Sequence, residues 1–507
     1  MTRHLMTRHL AALSALLAIV PIPSTAAGRC PEVLAALEGR IADAVCFESP
    51  DLTTNNALPP PSGPTTPANN SLPGLPVLAF TPTSDRGVIS PDPPDRTPIA
   101  GAVPGIQIQA RLAGDPTGEA RFLLRLPDDW NGRLVVAGAS GNRSEFNGDF
   151  AWSDYVVQKG YAYASQNKGI LNLFLTTASD PLGCRLNPVS PLFVRFYVNE
   201  GQNAFAEWQD RMAEAARLAR DGAKARYGLH PRHTFAVGTS NGGYQVRRAV
   251  EASPDLFDGG VDWEGTFVDP GPHNLLAQLP AALREFPAYV ASGFDGHSAA
   301  AQAIRGAGYP PDIVIRDAAG LAVDSLWRRN WLQFWEVTWC QWQKKLDPTY
   351  DTYGSGAAGY DYFNRALTTD VAAGLAAFAT TGKVKKPLVT VAGTMDALLP
   401  IDHHARAYAA AVAASRKGDE EQRAAQYRLY EVQNGNHIEN YRSPTATFPL
   451  PLPGLELLQP HAHRAFDLLV DHVERGAPLP PDQCVPRGGT IAAEPAEPGH
   501  CAELLAP

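Results

Sequence analysis

The chain has 507 residues, of which 44% are hydrophobic and 19% are charged, and this is the composition of a globular protein. Its formal net charge of −9 argues against nucleic acid as a partner. Beyond the N-terminal 27 residues, no stretch is long and apolar enough to predict a transmembrane helix.

The first 27 residues have the pattern of a secretory signal peptide. Residues 1–10 are basic and repeat themselves, residues 11–20 form an apolar run too short to span a membrane, and residues 21–27 end in small side chains. We therefore predict cleavage after Ala26 or Ala27. The mature protein is expected in the periplasm or outside the cell.

Residues 28–104 form an N-terminal segment. Within it, residues 51–104 are rich in Pro, Thr, Ser and Asn and have little core-forming content, so we expect them to lie extended on or beside the domain. Regular structure is expected from residue 106, where an alternating strand pairs with a second strand at residues 120–126. Residues 133–142 then form a strand that runs into a loop of small residues.

Residues 233–243 have the most informative pattern in the chain. A short β-type run leads into Gly-Thr-Ser-Asn-Gly-Gly at residues 238–243, and the residues after it begin a helix. A serine within G-x-S-x-G on a strand-to-helix turn is the nucleophile elbow of α/β-hydrolases. Ser240 is the predicted nucleophile, and Gly238 and Gly242 are required because a Cβ there would meet the backbone. The alternative is an ordinary glycine turn that closes a loop.

A long insertion is expected between this turn and the next part of the core. Residues 268–380 are predicted to form a mainly helical lid, which leaves residues 105–267 and 381–507 as the α/β-hydrolase core. Within the lid, tryptophans recur at every fourth residue and lie along one slowly turning face of a helix: Trp327, Trp331, Trp335 and Trp339. They are expected either to pack the lid onto the core or, for Trp331 and Trp335, to bind substrate beside Ser240.

Two strand ends after the insertion supply an acid and a base. Asp396 follows the buried-type strand at residues 386–392, and His437 follows an alternating strand at residues 427–433. The order Ser, Asp, His is that of α/β-hydrolases. The alternatives are a turn or cap role for Asp396 and a surface role for His437. Asp402 and Glu439 are the other candidates for the acid. Asp402 resembles a helix cap, and Glu439 follows His437 too closely to orient its ring easily.

The predicted roles follow from the chemistry of acyl transfer. His437 takes the proton of Ser240, and Asp396 fixes the tautomer of the imidazole and stabilises its charged form. The amide of Asn241, at the start of the new helix, is the first predicted oxyanion donor. The second comes from the loop Gly138 to Gly141, where we favour Ala139 or Ser140.

Residues 126–135 (Leu-Pro-Asp-Asp-Trp-Asn-Gly-Arg-Leu-Val) resemble the tannase and feruloyl esterase family. The Ser-Asn-Gly-Gly elbow also resembles secreted hydroxybutyrate-oligomer hydrolases. These families imply a secreted serine ester hydrolase with a large lid between nucleophile and acid. In tannase-type enzymes, cysteines beside the serine and the histidine form a disulfide, whereas this sequence has Thr239 and Asn436. The gallate or ferulate specificity therefore does not carry over, and hydroxyalkanoate esters are favoured.

Six cysteines occur in the chain and none lies in a C-x-x-C pair, which argues against zinc or thioredoxin chemistry: Cys30, Cys46, Cys184, Cys340, Cys484 and Cys501. In an exported protein an even number indicates disulfides. Proximity favours Cys30–Cys46 and Cys484–Cys501, which leaves Cys184–Cys340, although other pairings stay open. We predict no cofactor and no catalytic metal, because the pairs His403, His404 and His461, His463 lack a full ligand set.

The sequence thus predicts an α/β-hydrolase that cleaves carboxylic esters through an acyl-enzyme. The expected partner is a small or oligomeric ester, of the hydroxyalkanoate, aromatic or polyester type. A serine peptidase or amidase of the same fold is the first alternative. A non-catalytic binding protein is the second.

Overall fold

A computed structural model of the chain describes residues 29–56, 78–79, 90, 95–141, 144–170, 173–176, 192–194, 204–350, 356, 359–416, 426–444 and 448–507. The predicted signal peptide, most of the Pro-rich segment and Cys184 lie outside these ranges.

The main sheet contains eleven strands within the described residues. Along the chain, the strands that belong to it are β1 (Ile41–Ser49), β3 (Gly105–Leu112), β4 (Arg121–Pro127), β5 (Arg133–Gly138), β6 (Ala162–Gln166), β9 (His233–Thr239), β10 (Gly259–Trp263), β13 (Leu388–Gly393), β14 (Tyr427–Val432), β15 (Gln483–Val485) and β16 (Glu497–Pro498). Their spatial order is β1-β3-β4-β6-β5-β9-β10-β13-β14-β15-β16. The six neighbouring pairs from β6–β5 to β14–β15 are parallel, and the outer pairs are antiparallel.

Two smaller sheets and the helices complete the described structure. One small sheet contains β2 (Leu78–Ala79), β7 (Leu173–Thr176) and β8 (Leu192–Val194), and the other is the hairpin of β11 (Val314–Arg316) and β12 (Ala322–Ser325). The α-helices are α1 (Cys30–Leu37), α2 (Asp154–Val157), α3 (Ala204–Tyr227), α4 (Asn241–Ala252), α5 (Leu275–Ala291), α6 (Ala299–Gly306), α7 (Leu326–Asn330), α8 (Glu336–Leu346), α9 (Tyr362–Thr368), α10 (Val371–Ala376), α11 (Ala405–Ser415) and α12 (Gln459–Arg475). Two π-helical segments, Asp149–Ser153 and Trp331–Trp335, and a 3-10 turn, Glu439–Arg442, complete the set.

Helices cover both faces of the central sheet, because each strand alternates its side chains between two apolar clusters. In β5, Leu134 and Val136 belong to the cluster that includes α3, whereas Val135 and Ala137 belong to the cluster that includes α12. Strands buried on both faces read as continuous apolar runs, as β5 and β13 do. The predicted α/β class with a mostly parallel, doubly wound sheet is confirmed.

The sheet begins earlier in the chain than the sequence indicates. β1 pairs antiparallel with β3 at the edge of the sheet, and the Cys30–Cys46 disulfide joins it to α1. Most of the side chains of β1 are only half-buried, so the strand lacks the apolar alternation that marks the others. Among the described residues, regular structure therefore starts at residue 30 rather than near residue 106.

The insertion between β10 and β13 contains helices α5 to α10 and the hairpin β11–β12. Its tryptophans lie on one continuous helical segment, in which the π-helical turn Trp331–Trp335 separates α7 from α8. Whether the insertion acts as a lid stays a prediction. Over the described part of the chain, none of the helices combines the length and apolarity that crossing a membrane requires.

Candidate active site

The turn that carries Ser240 lies between β9 and α4 at the carboxyl edge of the sheet. Ser240 has φ 60° and ψ −124°, a conformation that costs a non-glycine residue about 1–3 kcal/mol and that clusters at active sites. Its amide donates to the carbonyl of Trp263 at 3.0 Å, and its own carbonyl accepts from the amides of Tyr244 and Thr266 at 3.1 and 3.2 Å. The backbone on both sides therefore holds the strained residue in place.

Glycines allow two backbone segments to touch beneath this turn. A Cβ on Gly242 would stand 2.5 Å from the carbonyl oxygen of Gly138, and a Cβ on Gly138 would stand 2.5 Å from the carbonyl oxygen of Gly242. A Cβ on Gly238 would also overlap the backbone of Gly242. The requirement for glycine thus has a specific cause at each position. At Gly242 the turn packs directly against the end of β5, and at Gly238 the end of β9 packs against the first turn of α4.

Asp396 and His437 meet at the same edge. The Nδ1 atom of His437 lies 2.8 Å from Oδ2 of Asp396, and Oδ1 of Asp396 accepts from the amides of Leu398 and Leu399 at 2.8 and 2.7 Å. His437 and Asp396 are 2% and 1% exposed. A carboxylate that accepts the Nδ1 proton leaves Nε2 as a proton acceptor, which is the form of imidazole that a general base needs.

The competing acids have other partners. Asp402 is half-exposed and pairs with Arg406 at 2.9 Å, one helical turn along the chain. Glu439 is buried and accepts from the amides of Leu458 and Gln459 at the start of α12. Neither carboxylate orients His437, so Asp396 is the acid that the geometry favours.

The loop after β5 holds its amides differently from the expectation. The amide of Ala139 donates to Oε1 of Gln245 at 3.0 Å, and the amide of Ser140 donates to Oδ1 of Asn147 at 3.0 Å. Because both donors are already used inside the protein, the preference for Ala139 or Ser140 as oxyanion donor has to be corrected. Among the loop residues 138–141, the amide of Gly141 becomes the better candidate.

A buried lysine holds the loop at residues 139–141 by its carbonyl groups. Lys168 is 1% exposed, and its Nζ donates to the carbonyls of Ala139 at 2.8 Å, of Ser140 at 3.2 Å and of Gly141. A cation on the oxygen side of successive peptides orients them and polarises the N–H groups on their other side. Lys168 is therefore a positioning residue for the loop, and the sequence patterns did not reveal it.

A second carboxyl lies beside His437. Glu264 directly follows β10, has φ 50° and is 3% exposed. Its Oε2 lies 3.4 Å from Nδ1 of His437, and its Oε1 accepts from the amide of Gly393 at 3.0 Å. Burial, followed by the charge of Asp396, raises the pKa of Glu264 well above its usual value. The rule that found Asp396, an acid at the carboxyl end of a strand, applies equally to Glu264.

Glu264, Asp396 and His437 are also the one group of metal-ligand type that the described residues bring together. Asp396 already accepts hydrogen bonds at both of its oxygens, and one oxygen of Glu264 accepts from the amide of Gly393. These bonds fit a hydrogen-bonded acid–imidazole pair.

The two tryptophans predicted to bind substrate differ in the structure. Trp335 is completely buried, and its Nε1 donates to the carbonyl of Ala397 at 2.7 Å, so the packing alternative replaces the substrate-binding role for this residue. Trp331 is half-buried and stacks on Phe286 with ring centroids 5.1 Å apart. Substrate binding by Trp331 stays a prediction.

The disulfides agree with proximity in sequence where they are described. Cys30 pairs with Cys46 and Cys484 pairs with Cys501. Cys340 is disulfide-bonded as well, while Cys184, its predicted partner, lies outside the described residues. Thr239 and Asn436 stand beside Ser240 and His437, so the linkage between these two positions that tannase-type enzymes have is absent here.

Comparison of the sequence with known proteins gives a match over part of the chain. The family model of the 3HB-oligomer hydrolases matches residues 348–501. A D-(-)-3-hydroxybutyrate oligomer hydrolase of Burkholderia thailandensis is 39% identical over 119 residues, which are 22% of this chain and 15% of that protein. The chain therefore matches only a small part of the length of this relative, and the predicted resemblance is confirmed for that part.

Comparison with solved structures bears on the fold. Tannin acyl hydrolase from Aspergillus niger superposes with a TM-score of 0.50 at 13% identity, covering 93% of this chain and 90% of that one. Feruloyl esterase B from Aspergillus oryzae superposes with a TM-score of 0.46 at 14% identity, covering 81% of this chain and 89% of that one. Together with the strand order, the first of these shows that the chain has the α/β-hydrolase fold.

Proposed function

We propose that the protein is a serine hydrolase of carboxylic esters, with Ser240 as nucleophile, His437 as base and Asp396 as orienting acid. The observation that carries the proposal is the 2.8 Å contact between His437 Nδ1 and Asp396, at the same sheet edge as a strained serine on a strand-to-helix turn. The amide of Ser240 bonds the carbonyl of Trp263, and the next residue, Glu264, reaches His437, so the serine turn and the histidine loop adjoin.

The reaction proceeds in two acyl-transfer steps. Ser240 Oγ attacks the ester carbonyl and passes its proton to Nε2 of His437, and Asp396 stabilises the imidazolium that forms. The oxyanion is held by the amide of Asn241, whose position at the start of α4 leaves its N–H without an intrahelical acceptor, and by the amide of Gly141. The alcohol leaves with the proton of His437, and water then hydrolyses the acyl-enzyme by the same groups.

We infer short hydroxyalkanoate oligomers as the substrate class. The match of residues 348–501 to the 3HB-oligomer hydrolase model supports this class, because those residues include Asp396 and His437. The loops after the acid and the histidine add apolar side chains to the aromatic cluster of the insertion: Leu398, Leu399 and Ile438. An apolar wall beside a polar reaction centre suits an aliphatic acyl chain with ester groups.

Export from the cytoplasm is part of the proposal. The two described disulfides, Cys30–Cys46 and Cys484–Cys501, each close a short loop, and disulfides persist in oxidising compartments. N-terminal sequencing of protein collected from the culture medium and the periplasm would test this. A mature N-terminus at residue 27 or 28 is expected, whereas retention of the intact N-terminus in the cytosol would contradict it.

Hydrolysis of p-nitrophenyl butyrate and of hydroxybutyrate dimers and trimers tests the function. We expect the wild type to release product and Ser240→Ala to lose at least about 10⁴-fold in kcat. A matched panel of amides tests the peptidase alternative, in which amides would be cleaved as fast as esters. Tight binding of oligomers without turnover would instead support a binding protein.

A further inference from the structure

We propose that Glu264 is a positioning residue that forms, together with Asp396, a two-carboxyl seat for Nδ1 of His437. This inference rests on the proposed function and adds a residue to it. In the seat, Asp396 carries the negative charge and Glu264 carries a proton, and Glu264 takes over the orientation of the imidazole when Asp396 is lost.

The geometry places both carboxyls at one atom. Asp396 follows β13, Glu264 follows the neighbouring strand β10, and their oxygens lie 2.8 and 3.4 Å from the same nitrogen of His437. The ligand atoms of all three residues lie within 4.8 Å of one another, and all three side chains are buried. The distance from Glu264 is short enough for a small rotation of the side chain to produce a hydrogen bond.

The backbone conformation at Glu264 is unfavourable for a glutamate. Glu264 has φ 50°, where glycine or asparagine would be less strained, and strain of this kind costs about 1–3 kcal/mol. Its Oε2 is buried without a hydrogen-bond partner among the described residues, which is a second unfavourable feature. Neither feature helps the fold, and both become intelligible if Oε2 has to face His437 and Asp396.

The charges around Glu264 determine which carboxyl holds the proton. Burial and then the charge of Asp396 raise the pKa of Glu264, Glu439 and Asp262 add to the effect, and the hydrogen bond from the amide of Gly393 opposes it. The amide binds Oε1, so the proton of the neutral acid resides on Oε2, in the same cluster of atoms as the charged carboxylate of Asp396. Replacement of Asp396 by alanine removes the nearest negative charge, so Glu264 then ionises more readily and can accept the Nδ1 proton.

A double-mutant cycle tests the proposal, with kcat/KM for p-nitrophenyl butyrate measured for the wild type, Glu264→Gln, Asp396→Ala and the double variant. We expect Glu264→Gln to cost no more than about tenfold, since glutamine resembles the neutral acid and keeps an oxygen for the Gly393 amide. We expect Asp396→Ala to cost about 100-fold, and the double variant to lose at least about tenfold more than the product of the single effects. A loss equal to that product would overturn the proposal.

Glu439→Gln is the matched control, because Glu439 is a buried carboxyl near His437 that caps α12 instead of facing the imidazole. Burial raises the pKa of Glu439 to about 8, so well below that pH the residue is uncharged and its replacement by glutamine leaves the charge around Glu264 the same. Under this condition its combination with Asp396→Ala should give the product of the single losses. Disturbance of the amides of Leu398 and Leu399 is common to every variant with Asp396→Ala and cancels in the comparison. An equally large excess loss with Glu439→Gln would overturn the proposal, since it would reflect general damage.

The pH profile separates a positioning role from a structural one. In Asp396→Ala, kcat/KM should rise with pH more steeply than in the wild type because Glu264 ionises, and this additional rise should vanish in the double variant. A profile of Asp396→Ala without this additional rise overturns the proposal even if the double variant does not fold. If the wild type is no faster than Ser240→Ala, the proposed function itself fails. If the wild type is active but the loss in the double variant equals the product of the single losses, only the role of Glu264 fails.

Discussion

The carboxyl edge of the sheet and the insertion at residues 268–380 hold their parts together by different means. At the sheet edge, backbone meets backbone, as where Gly138 touches Gly242, and buried side chains bind specific amides and carbonyls. In the insertion, aromatic rings pack on one another, as Phe286 does with Trp331 and Trp335. The first arrangement fixes atoms to within a fraction of an ångström, whereas the second fills space and tolerates more change.

This difference indicates a division of tasks. In the proposed reaction, the edge positions the reacting atoms, and the insertion supplies the apolar surroundings through the cluster that it shares with Leu398 and Ile438. Near the acid, Trp335 links the two regions by the hydrogen bond from its Nε1 to the carbonyl of Ala397. Substitutions of edge side chains should therefore affect turnover, and substitutions where backbone meets backbone at the edge should also affect stability. Substitutions of buried aromatic residues in the insertion should affect stability and substrate preference.

Gly242→Ala should have the largest effect, because its Cβ would stand 2.5 Å from the carbonyl of Gly138. We expect a loss of several kcal/mol in the free energy of unfolding, or no folded protein, measured by denaturant titration. Gly306→Ala in α6 is the control from the insertion, since an added Cβ there meets nothing within 4 Å. It should be neutral or slightly stabilising, and equal damage from both substitutions would contradict the comparison.

Trp335 and Trp331 should contribute differently to the insertion, the first to stability and the second to substrate binding. Trp335→Ala removes a fully buried ring and its bond to Ala397, so we expect a loss of about 3–5 kcal/mol in the free energy of unfolding. Trp331→Ala should cost less stability and instead raise KM for hydroxybutyrate trimers. Thermal unfolding and KM measured on the same samples separate the two roles. Full turnover with unchanged KM in Trp331→Ala would remove this residue from the substrate site.

The stability of the wild type should fall as pH rises through the range in which Glu439 ionises. Burial raises its pKa to about 8, so the folded state holds a proton that the unfolded state has already released above about pH 4.5. The contribution of this group is then fully present below pH 4.5 and is lost as pH approaches 8, with an upper limit of roughly 5 kcal/mol. Denaturant titrations from pH 5 to pH 8 should show a smaller decline in Glu439→Gln, and parallel curves would refute this.

Lys168→Met should lower kcat by about 10- to 100-fold with little change in KM, because it removes the donor that orients three carbonyls of the loop at residues 139–141. Lys345→Met, a half-buried lysine of α8 in the insertion, is the matched control and should retain wild-type kcat. Steady-state kinetics on p-nitrophenyl butyrate decide the question. An effect on KM alone would indicate a role in binding rather than in the orientation of the loop.

The parts of the site that could be predicted from sequence are those with a local pattern. The elbow, the acid and the histidine each follow a strand in a fixed chain order, so spacing alone picks out Ser240, Asp396 and His437. The partners of the oxyanion loop could not be found in this way. Gln245 and Lys168 reach the loop from distant segments, and Asn147 follows Ser140 closely in sequence but has no local pattern that marks it as a partner. The strand β1 was not predicted for a different reason, since an edge strand needs little apolar alternation.

Glu264 also follows the end of a strand, although the sequence patterns alone did not single it out. It ends a strand adjacent to that of the nucleophile, in the run Gly-Gly-Val-Asp-Trp-Glu-Gly at residues 259–265, and the strand-end rule selects it as readily as Asp396. Its distance from His437 depends on the register of β10 against β13, which sequence spacing does not define. The pairing of the two carboxyls is therefore a property of the fold rather than of a motif.

Covalent labelling of Ser240 decides whether this serine is an activated nucleophile. The wild type, Ser240→Ala and His437→Ala are incubated with a fluorophosphonate, and intact mass and peptide mapping locate the adduct. We predict one adduct on Ser240 in the wild type, none in Ser240→Ala and a strongly slowed reaction in His437→Ala. A folded wild type that stays unlabelled, or that carries the label on another residue, would contradict it.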